Sequence, residues 1–122
     1  MRVPLADAAE VAQAVEAAAS AFPAWRDTPA LRRARVFFRF KQLLEQNLDQ
    51  LAELVSAEHG KVLSDARGSV IRGLEVVEFA CGAPHIMKGE SLMNVSTGYD
   101  TVQYHHPIGV FAGIAPWNFP AM

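Results

Sequence analysis

Apolar residues recur at helical spacing through roughly the first 88 positions, then switch to strand spacing towards the end of the chain. Asp7 opens the first helix. Its carboxylate can accept from the N–H groups of the opening turn, and Glu10, three residues on, completes a capping box. Ala8, Val11, Val15, Ala18 and Phe22 then share one face, and Pro23 is expected to end the helix. Thr28-Pro29 reads as a second start, a hydroxyl cap followed by a proline at the first helical position. The stripe Ala30, Ala34, Phe37, Leu44, Leu48, Leu51, Val55 carries that helix to Gly60, with a break expected near Asn47. A third helix spans about Ser64 to Cys81, with Val70, Leu74, Val77 and Cys81 on its main face. Gly68 and Gly73 each cost such a helix roughly 0.8–1 kcal/mol relative to Ala. Two of them in one helix predict the close approach of another backbone. Gly82-Ala83-Pro84 closes it.

Strands are expected within residues 92–115. Thr97-Gly98 reads as a turn, and Thr101–His106 alternates like a half-exposed strand. Ile108–Ala115 is a continuous apolar run, as in a strand buried on both faces of a parallel sheet. The pattern predicts helices over 7–22, 29–59 and 64–81, then strands over 101–106 and 108–115. It stops in the Pro-bounded apolar stretch Gly109–Met122, which would lack neighbours to bury it, so the chain is expected to be part of a larger protein.

Composition narrows this little. The chain has 122 residues, 51% of them hydrophobic, and a net charge of −2, which offers no basic footprint for nucleic acid. No apolar run reaches the length of a membrane span. The one Cys cannot form an internal disulfide, so a reducing, cytoplasmic setting is expected.

Few residues invite chemistry. Cys81 sits at a helix C-terminus, where the dipole opposes a thiolate, so it reads as a small core residue. His105 and His106 point to opposite faces of a strand, so no metal site is expected. Gly109 and Gly113 match neither phosphate-loop spacing and read as close strand packing. Pro116-Trp117-Asn118-Phe119-Pro120 is a stiff loop beyond a buried strand, where ligands of open α/β sheets bind. The Asn118 amide there could donate to a developing oxyanion, or the segment could be a turn with packed aromatics. Arg72 could clamp a carboxylate bidentately, or pair with Glu75 three residues on.

Pro116–Pro120, preceded by His106-Pro107-Ile108-Gly109-Val110, resembles the early signature of the aldehyde dehydrogenase superfamily. Ala21-Phe22-Pro23-Ala24-Trp25, Arg32-Arg33-Ala34 and Glu58-His59-Gly60-Lys61 fall in matching order. Gly73–Ala80 followed by Gly82-Ala83-Pro84 resembles the CoA-acylating methylmalonate-semialdehyde branch. The resemblance implies an α/β fold, namely the N-terminal helical part of a Rossmann-type NAD-binding domain with the start of subunit-bridging strands, spread over residues 1–122. It implies oxidation of a small semialdehyde to an acyl-CoA with loss of CO2, with NAD as cofactor and coenzyme A as co-substrate. By the same resemblance Asn118 stabilises the oxyanion, Arg72 holds the substrate carboxylate, and Ala115 and Trp117 line the NAD site. Trp117 stands where this branch has Phe and other aldehyde dehydrogenases have Trp. The nucleophilic Cys, general-base Glu and cofactor-binding Lys are expected beyond Met122, which would leave these residues inactive by themselves. The full-length form is expected to be a homo-oligomer. The competing expectations are a CoA-independent aldehyde dehydrogenase, or a helical interaction module pairing through an exposed strand.

Overall fold

The computed structural model describes Val3 and residues 5–122. They form five helices and one two-stranded antiparallel sheet: α1 (Ala8–Asp27), α2 (Ala30–Gln46), α3 (Leu48–His59), α4 (Leu63–Cys81), α5 (Ala83–Ile86), β1 (Ser91–Ser96) and β2 (Tyr99–Val102). Two compact units divide the chain. One holds α1 with residues 106–113, and the other holds residues 29–105 with 114–122.

In the first unit the capping box forms as the sequence dictates. The Asp7 carboxylate accepts from the Ala9 and Glu10 N–H groups at 2.8 and 3.0 Å, and the Asp7 N–H donates to Glu10 Oε2 at 3.0 Å. Pro23 does not end the helix, which runs on to Asp27. A proline removes one N–H bond, but its fixed φ is itself helical, so the residues after it can stay in the helix. Thr28 supplies the true stop. Its hydroxyl donates to the Ala24 carbonyl at 2.8 Å and its N–H to the Trp25 carbonyl at 3.2 Å. That hydroxyl therefore caps the end of α1 and not the start of α2, where Pro29 stands as N-cap with no side-chain bond. The apolar stripe of α1 buries no residue.

In the second unit α4 lies against both α2 and α3. The break at Asn47 is present. Its side-chain amide donates to the Leu43 carbonyl at 2.7 Å, closing α2, while its own carbonyl accepts from Leu51 N–H to open α3. Gly60 ends α3 at φ +81°, the left-handed conformation that only glycine adopts without strain. The core is made of small side chains. Ala52, Ala66 and Val70 are buried, with Leu48, Leu51, Val55 and Ala121 packed around them. Ser69 is buried beside Val70 on the same helix, and its hydroxyl has no partner among the described residues.

β1 and β2 pair Ser91 with Val102 and Ser96 with Tyr99, with a bulge between, where Asn94 takes φ +53° and its N–H donates to Asp100 Oδ1 at 2.8 Å. Thr97-Gly98 is the turn, as expected. The strand expected over 101–106 ends at Val102, followed by one more ladder bond, Gln103 N–H to the Glu90 carbonyl at 2.8 Å. Alternation of side chains does not by itself supply the ladder of backbone bonds that makes a strand. His105 is instead tied back, accepting from the Gln103 amide at 3.0 Å through Nε2 and donating through Nδ1 to the Met87 carbonyl at 3.2 Å.

The expected buried strand 108–115 is not a strand. Those residues form no regular secondary structure and are largely exposed, with Ile108 90% and Ile114 93% accessible. A strand exists only with a hydrogen-bonded neighbour, and none of the described residues provides one. Gly109 and Gly113 accordingly touch nothing that would need a glycine for close strand packing, although Gly109 adopts φ +141°. Among the described residues no helix is long and apolar enough to cross a membrane.

Candidate functional site

The segment 114–122 belongs to the same compact unit as α4, and two contacts tie it there. The first is at Gly73. Its backbone lies so close to Ala121 that a Cβ added at Gly73 would collide with the Ala121 carbonyl. This is the close approach that the paired glycines of this helix predict. Gly68 has open space around it and plays no such part. The second contact was not anticipated. Lys61 lies over the Phe119 ring, 4.8 Å from its centroid, while its ammonium also pairs with Asp65 at 2.9 Å. Only 11% of the Lys61 side chain is exposed. A cation over an aromatic face contributes about 0.5–2 kcal/mol depending on desolvation.

Local sequence explains why Lys61 sits there. Gly60 turns the chain sharply out of α3, and the Ser56 hydroxyl donates to the Lys61 carbonyl at 2.6 Å, fixing the residue that follows the turn. The only signal for it in the sequence was the Glu58-His59-Gly60-Lys61 run, which carries no hint of a partner 58 residues further on.

Ahead of these anchors, residues 116–118 are exposed. Asn118 is exposed, and its amide makes no hydrogen bond among the described residues, so it is available as a donor. Trp117 takes φ +59°, in the left-handed region that a bulky residue rarely enters, and its indole is 75% exposed. Ala115, before the first proline, is exposed as well.

Arg72 lies next to Gly73 on α4. Its Nη1 donates to Glu75 Oε2 at 2.9 Å, and the two side chains are 70% and 53% exposed. The ion pair expected from the spacing is therefore present, and it occupies only one of the guanidinium nitrogens. Arg72, Ala115, Trp117 and Asn118 all lie in one unit, joined through the contact of Gly73 with Ala121. Below the segment, an open apolar groove of about 560 Å³ runs along Phe40, Leu51, Val70, Leu74 and Val77 to Ala121.

Cys81 is buried at the end of α4, as a core residue. Lys41, whose ammonium pairs with Glu45 at 2.6 Å, has its pKa raised chiefly by that hydrogen bond.

The aldehyde dehydrogenase family profile matches residues 1–122. The malonate-semialdehyde dehydrogenase of Pseudomonas aeruginosa is 55% identical over 121 residues, covering 99% of this chain and 24% of that protein. The mitochondrial methylmalonate-semialdehyde dehydrogenase [acylating] of Arabidopsis thaliana is 50% identical over 121 residues, 99% of this chain and 20% of that one. A methylmalonate-semialdehyde dehydrogenase homologue from Sinorhizobium meliloti, solved in complex with NAD, superposes with a TM-score of 0.90 at 49% identity, covering 98% of this chain and 24% of that one. The chain thus spans about a quarter of the length of the relatives it matches.

Proposed function

Since the chain belongs to the aldehyde dehydrogenase family, we propose that it supplies the oxyanion donor and the carboxylate clamp of a malonate- or methylmalonate-semialdehyde dehydrogenase. The observation that carries this reading is the seat of Ala121 on Gly73. It ties the loop bearing Asn118 to the helix bearing Arg72, two residues 46 positions apart in sequence. A donor for the developing alkoxide and a cation for the distal carboxylate are the two polar groups that recognition of a semialdehyde acid requires.

Asn118 donates its NH2 to the oxygen of the aldehyde as that oxygen gains charge. A preorganised donor contributes most when it needs no rearrangement at the moment of reaction, and the two flanking prolines and the Lys61–Phe119 contact limit such rearrangement. Arg72 binds the substrate carboxylate with its two-pronged guanidinium and so orients the aldehyde end towards Asn118.

The exposed indole of Trp117 and the small side chain of Ala115 suit the flat rings of a dinucleotide, and the NAD-bound neighbour supports NAD as the cofactor. NAD, when bound, supplies the hydride acceptor. The proposed reaction passes the acyl group to coenzyme A, in keeping with the acylating Arabidopsis relative, and releases the substrate carboxylate as CO2. The exposed hairpin of β1 and β2 suits pairing between subunits of a homo-oligomer. A single buried thiol fits the cytoplasm. The residues described here are proposed to be inactive without the remainder of the catalytic domain.

The test uses the complete dehydrogenase carrying this segment. Arg72→Ala is expected to lower kcat/KM for malonate semialdehyde about tenfold to hundredfold relative to propionaldehyde, which has no carboxylate. Asn118→Ala is expected to lower kcat by about 10²–10³ for both substrates. Equal losses for the two aldehydes on Arg72→Ala would refute the clamp.

A further inference from the structure

Arg72 can serve a carboxylate only if its guanidinium is held still with a fork of N–H donors unused. The bond to Glu75 meets both conditions. It engages Nη1 alone, at 2.9 Å, and among the described residues Nε and Nη2 have no partner. These two nitrogens form one edge of the planar guanidinium, with two parallel N–H groups spaced to meet both oxygens of a carboxylate. Glu75 lies one helical turn further on from Arg72, so α4 fixes the position of the acceptor relative to the arginine backbone.

We propose that Glu75 is a positioning residue for recognition of the substrate carboxylate. It restrains Arg72 through Nη1 and leaves the Nε–Nη2 edge open to the distal carboxylate of a short semialdehyde acid. This rests on the reading of Arg72 as the carboxylate clamp. Without Glu75 the arginine samples its rotamers freely, and substrate binding must order a long, flexible side chain each time. The contribution appears as weaker binding of carboxylated aldehydes and not as slower chemistry, because the reacting carbon lies at the other end of the substrate. The rival arrangement on the same residues, in which the Glu75 carboxylate competes with the substrate for Arg72, makes the opposite prediction.

The experiment compares Glu75→Ala, Glu75→Gln and Arg72→Ala in the complete dehydrogenase, with malonate semialdehyde and propionaldehyde as paired substrates. For Glu75→Ala the ratio of kcat/KM for malonate semialdehyde to that for propionaldehyde is expected to fall about twofold to fivefold, the scale of an exposed ion pair. The fall is expected in KM, with kcat for malonate semialdehyde retained. Glu75→Gln, whose amide oxygen still accepts from Nη1, is expected to restore most of the ratio. Unchanged or rising ratios for Glu75→Ala, with a selective loss for Arg72→Ala, would overturn the role of Glu75 and leave the clamp standing. Failure of Arg72→Ala to discriminate between the substrates would remove the clamp itself, and the Glu75 role with it. A fall shared equally by both substrates would mark Glu75 as merely structural and overturn the proposal.

Discussion

Helix α4 contains its own control experiment. Gly68 and Gly73 lie on one helix, and each is expected to gain roughly 0.8–1 kcal/mol of helix propensity when changed to Ala. They differ in their surroundings. Nothing lies within 4 Å of a Cβ at position 68, whereas at position 73 it would strike the backbone carbonyl of Ala121. Backbone cannot rotate aside as a side chain can, so the segment 119–122 must move. Overpacking of this kind costs about 1–3 kcal/mol. The propensity gain is common to both variants and cancels in the comparison, so the difference in stability between them measures the clash alone. Gly68→Ala is expected to stabilise the chain by about 1 kcal/mol, and Gly73→Ala to leave it unchanged or destabilise it by up to about 2 kcal/mol. Urea unfolding at low micromolar concentration, followed by helical circular dichroism, reads both values. At about 4 °C per kcal/mol the melting temperatures would separate by about 4–12 °C. Displacing Ala121 also loosens the loop bearing Trp117 and Asn118, so Trp117 emission should shift in Gly73→Ala and not in Gly68→Ala. Equal stabilisation by the two substitutions would refute the seat of the loop on α4, and with it the structural basis for joining Asn118 to Arg72.

The isolated chain is expected to self-associate, because Phe111, Ile114, Trp117 and Phe119 are all exposed; light scattering that shows a monomer at high concentration would contradict this. Asp27 accepts from Arg26 Nε at 2.8 Å, and this bond holds its carboxyl below the ordinary 3.8. The stabilisation it gives to the end of α1 is present above that value and lost as pH falls through the lowered one, so an NMR titration should place Asp27 below 3.8, and Arg26→Gln should bring it back.

Features governed by neighbours in the chain were legible from the sequence. The capping box at Asp7 and Glu10, the break at Asn47, the left-handed stop at Gly60, the turn at Thr97-Gly98 and the pair of Arg72 with Glu75 each involve groups within about one helical turn of one another. The family was legible too, because a string of short motifs in order is specific where each alone is not. Features that depend on a distant partner were not. Thr28 could cap either helix, and only the position of the Ala24 carbonyl decided between them. The alternation of residues 101–106 promised a strand, but the strand stops at Val102, with one further ladder bond from Gln103 to Glu90. The apolar run 108–115 has the composition of a buried strand without a neighbour to make it one. The two glycines of α4 looked alike in sequence, yet only Gly73 meets Ala121, and nothing local foretold that Lys61 would cover Phe119. A hydrogen-bond cap needs only what lies within a few residues, whereas a strand, a close backbone approach and a cation over a ring need a second segment brought in from elsewhere by the packing of the whole unit.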